Sequence, residues 1–599
     1  MVMKFQDLNE KQLEAVNQIN GPILIVAGAG SGKTRTLTNR LINLLSNGIA
    51  PENIIAITFT NKAANEMKDR VEKMLGDKVG DYQNLFVGTF HSLGARILRK
   101  EAGLLKRTAG FTIFDSDDSR SLVKKTIKNF NLTEKDKNRI TPAFLEREFS
   151  KIKNELKNSE DIYDEKIELL FADYENGLQR NNAFDFDDLI EKPVRIFQKH
   201  PDVLSKYQNQ FHYVLVDEYQ DTNSSQYFFI KLLADKHKNL SVVGDDQQSI
   251  FGFRGSDFRN FLNFETDWPK AKVVVLEENY RSTSNIIEAA SSVIANNKFQ
   301  KPKKLWTNNQ AGESIKIIEH DNADYEADWV ADSIKRRFLS DPNQTAAVLY
   351  RTNAQSRAME QFLIEKNLPY QIFGGIRFYE RKEIKDLVAA LRYALNPADE
   401  ISLSRLEKSF LKKPYLELKA DLPRKGSELK PTELIGYIIK TADYIKGLEK
   451  NFTNSSERIE NIGELVDFST RFENLADFLE KISLLQPLDN IKNKPVKNAG
   501  KLGVANLMSI HLAKGLEFDA VYLIGANEGL LPHQMSYYSE AEIEEERRLM
   551  YVAMTRAKKE LYLNFYHLPS RFLHEIAPEF VEFVGQKSLD DEERYIEID

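Results

Sequence analysis

Eight consecutive residues, Ala27-Gly28-Ala29-Gly30-Ser31-Gly32-Lys33-Thr34, have the composition of a loop that holds polyphosphate. Glycines let backbone N–H groups turn toward an anion at a helix N-terminus, where the peptide dipoles already favour negative charge. The Lys33 ammonium is a point charge for the outer phosphates, and the Thr34 hydroxyl suits Mg²⁺. Ala27 stands where the usual pattern has its first glycine. A second stretch, residues 212–221, reads as a buried strand with two adjacent acids, Asp217 and Glu218, at its end. Beside a phosphate loop, the first acid supports Mg²⁺ and the second orients and deprotonates the attacking water. Phe251, Phe253 and Arg254 interleave aromatic rings with a cation, which suits base stacking in a single-stranded nucleic acid. The Gln12 amide offers one donor and one acceptor to an adenine edge.

These groups need elements to present them. Residues 22–26 form an apolar run of strand length, and apolar residues recur at helical spacing over 36–45. Strand, loop, helix is the context that a phosphate loop requires. Asn9 is placed to cap a helix starting near Leu8. Further strands are predicted over 54–60, 85–92, 240–250, 273–276 and 348–353. In a parallel sheet their C-terminal ends face the ligand crevice. From about residue 95 to 180 strand signals nearly vanish, and Lys and Glu alternate with apolar residues at helical spacing, as in a helical insertion. Residues 184–189 then bring Phe186 into an acidic cluster whose spacing alone does not make a metal site.

A chain of 599 residues predicts several domains. With 42% hydrophobic and 29% charged residues it has ordinary globular composition. The absence of cysteine excludes disulfides and cysteine–zinc sites. The first residues lack a signal-peptide layout, and no apolar run approaches the ~18 residues of a membrane span. A cytoplasmic location, with no membrane partner, is the economical expectation. A net charge of −7 argues against a protein that coats nucleic acid over its whole surface, but leaves room for a narrow basic groove.

Taken together, the motifs resemble those of superfamily 1 DNA helicases of the UvrD/Rep/PcrA family. They stand at residues 8–12, 27–35, 57–70, 88–93, 185–189, 216–223, 243–257, 276–282, 348–357, 509–518 and 544–557. The resemblance implies an α/β fold: two RecA-like P-loop motor domains in tandem, each with a largely helical inserted subdomain. The implied boundaries are 1–94 with 181–277 for the first motor, 95–180 for its insertion, 278–386 with 502–587 for the second motor and 387–501 for its insertion. Residues 588–599 form an acidic tail.

The resemblance implies ATP and Mg²⁺ as cofactors. It assigns Gln12, Ala29, Gly30, Ser31, Gly32, Lys33, Thr34, Arg35, Tyr280, Arg281, Glu517 and Arg556 to the nucleotide, and Thr34 and Asp217 to the metal. Lys33, Glu218, Gln248, Arg281 and Arg556 carry catalysis, with Tyr280 stacking adenine, Arg556 as arginine finger and Gln248 coupling nucleotide to DNA. Phe59, Thr60, Asn61, His91, Phe186, Phe251, Phe253, Arg254, Asn353 and His511 would contact DNA. The implied partners are single-stranded DNA and single/double-strand junctions, together with unidentified repair or replication proteins, for a monomer or weak dimer. The implied activity is 3′–5′ translocation with strand separation; the alternative is a translocase that mainly displaces bound proteins. Phe251 and Phe253 replace the family's usual tyrosine and tryptophan, Gln247 an acid and Leu512 a small polar residue. The second insertion is short, without the usual duplex-gripping hairpin, and the family's long C-terminal extension is not expected.

Overall fold

The computed structural model describes residues 5, 7–75, 84–114, 116–130, 132–373, 381–395, 397, 400–485 and 503–584. The acidic tail expected at 588–599 and the end of the second insertion lie outside them. The chain forms two compact units. One holds the described residues through Ile287 together with Ile294–Gln310; the other holds Glu288–Val293 and the described residues from Ala311 onward. Residues 278–287, assigned above to the second motor, pack with the first unit.

The first unit contains β1 Ile23–Ala27, β2 Ile54–Thr58, β3 Phe86–Thr89, β4 Thr112–Ile113, β5 Ala183–Phe184, β6 Tyr213–Val216, β7 Asn239–Gly244 and β8 Lys272–Leu276. Six of them form one sheet in the order β3-β2-β6-β7-β1-β8, every neighbouring pair parallel. The apolar run before the phosphate loop shows why: Leu24 and Val26 enter the core on one face, while Ile23, Ile25 and Ala27 enter the core on the other. A strand buried on both faces reads as continuously apolar rather than alternating. Three predicted strands of this sheet end earlier than the sequence suggests. The second ends at Thr58, because the Thr60 hydroxyl accepts from Ala63 N and starts the helix Asn61–Leu75. The third ends at Thr89, whose hydroxyl caps the helix Phe90–Glu101 by accepting from Ser92 N, so His91 is helical. β7 likewise stops at Gly244, and the polar residues after it form turns.

The predicted helical insertion has a core of its own, including Leu122, Leu145, Phe149, Leu170 and Leu178. Its first part does not belong to that core: Ile97 and Leu98 pack beneath the main sheet. The acidic cluster at 185–188 ties the helical insertion to the rest of the first unit. Buried Lys153, on the helix Pro142–Asn154, places its ammonium 2.6 Å from Asp185, 2.8 Å from Asp188 and 2.7 Å from Glu175. Burial alone would drive that ammonium toward neutrality, but the three carboxylates hold it firmly protonated.

The second unit contains β9 Ile315–His320, β10 Ala346–Tyr350, β11 Tyr370–Ile372, β12 Ala505–Ser509, β13 Phe518–Leu523, β14 Ala557–Tyr566 and β15 Val581–Val584. They form a parallel sheet in the order β11-β12-β10-β13-β14-β9-β15. Its insertion, from Lys382 to Leu485 among the described residues, is entirely helical around residues such as Leu387, Leu391, Leu434 and Leu465. The helix Ser455–Ser469 fastens it to the rest of the second unit: Asn461 accepts from Arg381, which also donates to Ser356, and Arg357 donates to Glu464.

Glu326 is a buried acid in this second core that accepts the Gly525 N–H at 2.8 Å. Burial pushes its carboxyl up to about 8. A carboxyl raised on folding costs no stability below its unfolded pKa, about 4.5, and a growing amount from there to pH 8. Glu326→Gln keeps the acceptor oxygen and removes that penalty, on the order of 4 kcal/mol at most. Thermal melts at pH 5 and pH 9 should show Gln stabilising the protein mainly at the higher pH; equal effects at both would show that ionisation is not the cause.

Candidate functional site

The order of strands sorts the candidate residues of the first unit along one sheet edge. β3 and β2, at one side, lead into His91 and into Phe59, Thr60 and Asn61; β6, β7, β1 and β8 lead into Asp217, Asp245, the glycine loop and Tyr280. All leave from C-terminal ends, where a parallel sheet places ligands.

The loop after β1 bends through Gly30, at φ +67°. A side chain there would be strained and would also meet the Asn279 amide, 2.5 Å from an ideal Cβ. Ala27 costs the loop nothing, because it is the last residue of β1, fully buried in the core. The helix Lys33–Ser46 starts directly from Gly32, so its free N–H groups open onto the loop. The Thr34 hydroxyl donates to Asp217 Oδ2 at 2.8 Å, bringing the two predicted metal ligands together. Burial and the neighbouring Glu218 carboxylate push Asp217 up to about 7, against the opposing pull of Thr34 and Lys33. A site that packs two acids so closely needs more positive charge than the chain supplies there, and one hydroxyl plus one carboxylate beside a phosphate cradle fits Mg²⁺, which keeps most ligands as water and phosphate oxygen.

Glu218 adopts φ +50°, a left-handed turn that separates its direction from that of Asp217. The Gln220 amide donates to Glu218 at 2.7 Å and accepts from Asp245 N at 3.0 Å. Gln220 and Asp245 join this cluster although residue type alone did not single them out. Asp245 is fully buried, with Lys303 2.7 Å and Lys33 3.8 Å away. Burial would raise its carboxyl, but the two lysines hold it below the ordinary range. Gln248 donates to Asp245 at 2.5 Å, so the residue expected to couple the two sites is tied directly to the phosphate-loop lysine's partner.

The remaining nucleotide candidates divide. Asn9 caps the first helix as predicted, through a reciprocal pair with Gln12. The Gln12 amide accepts from Asn9 N and donates to the Ser31 carbonyl at 3.0 Å, so both its ends brace the loop. The Ser31 hydroxyl donates to Gly28, inside the loop, and Arg35 donates to the Asp7 carbonyl. Tyr280 is 47% exposed and leaves its ring open to stack, while its hydroxyl pairs with Glu278 and Asn9. Arg281, expected on the second motor, follows β8 in the first unit. Asn279, which the sequence did not single out, donates to the Ala29 carbonyl and accepts from Arg281 N and Ser282 N.

In the second unit, the Arg556 side chain is 1% exposed and donates to the Val552 and Leu516 carbonyls. Glu517, expected at the nucleotide, forms an ion pair with Lys558 at 2.8 Å in its own unit.

The nucleic-acid candidates are mostly rings. Phe186 is 58% exposed with its centroid 4.2 Å from that of His91. Burial lowers His91 to about 4, so it is a neutral partner rather than a phosphate-binding cation at pH 7. Phe251 and Phe253 have centroids 6.2 Å apart, and Phe253 is 67% exposed. Of Arg254 only the backbone is described, closing the turn Gly252–Arg254. Phe59 is partly buried edge-on against Phe90, so only part of its ring faces outward, whereas Thr60 and Asn61 are exposed. In the second unit, Asn353 and His511 follow the adjacent strands β10 and β12; the Asn353 amide donates to Glu457 of the insertion.

Known proteins resemble this chain along nearly its whole sequence. The family model described as UvrD/REP helicase N-terminal domain matches residues 8–269, and the UvrD-like helicase C-terminal domain matches residues 274–425 and 417–567. The ATP-dependent DNA helicase PcrA of Bacillus subtilis (strain 168) is 40% identical over 97% of this chain and 87% of its own length. PcrA of Staphylococcus aureus (strain MRSA252) is 40% identical over 96% of this chain and 87% of its own, and PcrA of Staphylococcus epidermidis 39% over 97% and 88%. Two tandem parallel sheets, a phosphate loop facing paired acids, and this likeness along nearly the whole length make the chain a member of the UvrD/Rep/PcrA helicase family.

Proposed function

We propose that the protein is an ATP-dependent DNA helicase that moves 3′ to 5′ on single-stranded DNA and separates duplex strands, in repair or replication. The observation that carries this is the Thr34–Asp217 contact at the phosphate loop with Glu218 held beside it by Gln220. Lys33 and the N–H groups of the loop bind the phosphates. Thr34 and Asp217 would hold Mg²⁺, which would supply positive charge beside the phosphates. Glu218 takes the proton of the water that attacks the γ-phosphorus, as the bond to the β-phosphate oxygen breaks. Arg556 stabilises charge on the phosphoryl group in flight. Phe186, Phe251 and Phe253 stack bases, while Thr60, Asn61, Asn353 and His511 hold the strand. We take 95–180 and 387–501 as inserted subdomains of the two motors.

The short second insertion favours a second reading, a translocase that displaces bound proteins and unwinds poorly. One set of assays addresses both. Steady-state ATP hydrolysis should rise strongly with single-stranded DNA, and the rise should fade with salt as phosphate contacts are screened. A duplex with a 3′ tail should open faster than one with a 5′ tail; protein displacement without opening would favour the second reading, and absence of DNA stimulation would defeat both.

A further inference from the structure

Between Gln300 and Asn309 the chain crosses three parts of the first unit's nucleotide site in turn. Gln300 accepts from the Gln247 amide at 2.7 Å, and Lys301 N donates to Asp246 at 2.9 Å. The Lys303 ammonium sits 2.7 Å from Asp245 and 2.7 Å from Asp246, with none of its side chain exposed. Leu305 then lies so close to the phosphate loop that a Cβ at Gly28 would fall 2.0 Å from it. Trp306 exchanges backbone hydrogen bonds with Glu277 and Asn279, and Thr307 donates to the Asn279 carbonyl at 2.7 Å. One strap therefore laces the turn after β7, the phosphate loop and the segment after β8.

The two oxygens of Asp245 keep different company. Oδ1 accepts from Lys303 and, at 3.2 Å, from Gln247 N. Oδ2 is shared between Gln248, at 2.5 Å, and Lys33, at 3.8 Å. Lys33 is also the residue that a polyphosphate would draw to itself. Its transfer to phosphate changes the surroundings of Oδ2, and so of Gln248, while Oδ1 stays pinned.

We propose that Lys303 is a positioning residue that couples the phosphate loop to the turn bearing Phe251 and Phe253, by anchoring Asp245 while Lys33 moves between Asp245 and the nucleotide. A buried carboxylate that loses its counter-ion must regain one or take up a proton. With Lys303 in place, Asp245 releases Lys33 and remains an anion that orients Gln248. Without it, Asp245 either keeps Lys33 from the phosphates or loses its hold on the turn. The inference rests on the DNA-motor reading above.

The test is the stimulation ratio, kcat for ATP hydrolysis with saturating single-stranded DNA over kcat without it, read with KM for ATP and a thermal melt. Lys303→Met should lower the ratio about tenfold or more, with a smaller change in KM. Asp245→Asn, nearly isosteric, should do the same and covers the case in which Lys303→Met does not fold. Asp246→Asn leaves Lys303 to serve Asp245 alone and should keep the ratio within about threefold. If the pair were merely structural, both Asn variants would lose stability alike and keep the ratio. An unchanged ratio in Asp245→Asn, or an equal loss in Asp246→Asn, overturns the proposal while leaving the motor reading intact. A wild-type protein that DNA does not stimulate overturns both.

Discussion

Glu218→Gln is expected to lower kcat for DNA-stimulated ATP hydrolysis by roughly 10²–10⁴-fold, the usual worth of a positioned general base. ATP and single-stranded DNA should still bind. Gln has the shape of Glu and can still accept the hydrogen bond from Gln220, so the left-handed turn and its link to Asp245 survive. What is lost is the carboxylate that receives the water's proton. Because the neighbouring negative charge disappears as well, Asp217 should ionise more readily, and Mg²⁺ binding should not suffer. Single-turnover hydrolysis and nucleotide binding, measured on the same preparation, separate chemistry from affinity. Undiminished hydrolysis would take the base's role away from Glu218.

Arg556→Ala is expected to cost about 10³-fold or more in kcat, with a much smaller effect on ATP affinity, since a finger acts on charge that develops in transit. The structure adds a second consequence. The guanidinium also satisfies the Val552 and Leu516 carbonyls in a nearly closed environment. Removing it leaves buried acceptors unmet, at about 1–3 kcal/mol of stability. The melt should therefore fall as well, but a stability loss of that size leaves most molecules folded and does not account for a thousandfold fall in rate. Parallel losses in kcat and ATP affinity would instead make Arg556 a ground-state phosphate ligand.

The two variants differ in what supports them. Glu218 sits among identified partners within one unit, whereas the role of Arg556 follows from its place in the family motif at 544–557 and from its position between the helix Glu540–Met554 and β14. The first prediction tests local chemistry; the second tests whether the second motor takes part in it.

Much of the candidate nucleotide site was legible in the chain because it is local. The loop at 27–34 and the acids at 217–218 are contiguous residues whose backbone does most of the work, so composition and spacing between strand and helix were enough. The helix cap at Asn9 and the helical insertion were legible for the same reason: hydrogen bonds three or four residues apart write themselves into short patterns. Strand ends were less legible. Thr60 and Thr89 are good β-formers whose hydroxyls end the strand by starting a helix, and where the strand stops depends on where the next N–H groups lie.

The sequence by itself determined which groups are available to this protein: a glycine-rich loop with Lys33 and Thr34, a pair of acids, and a set of aromatic rings. Tertiary structure decided which of those groups act on one another. Asn279 reaches Ala29 across 250 positions, and Lys303 reaches Asp245 across 58, distances over which no local pattern carries a signal. It also turned the acid cluster at 185–188 into the anchor of a buried lysine and made His91 a neutral ring. In each case the deciding quantity was burial, which sets the cost of a charge and the need for a partner, and burial belongs to the folded chain rather than to any stretch of it.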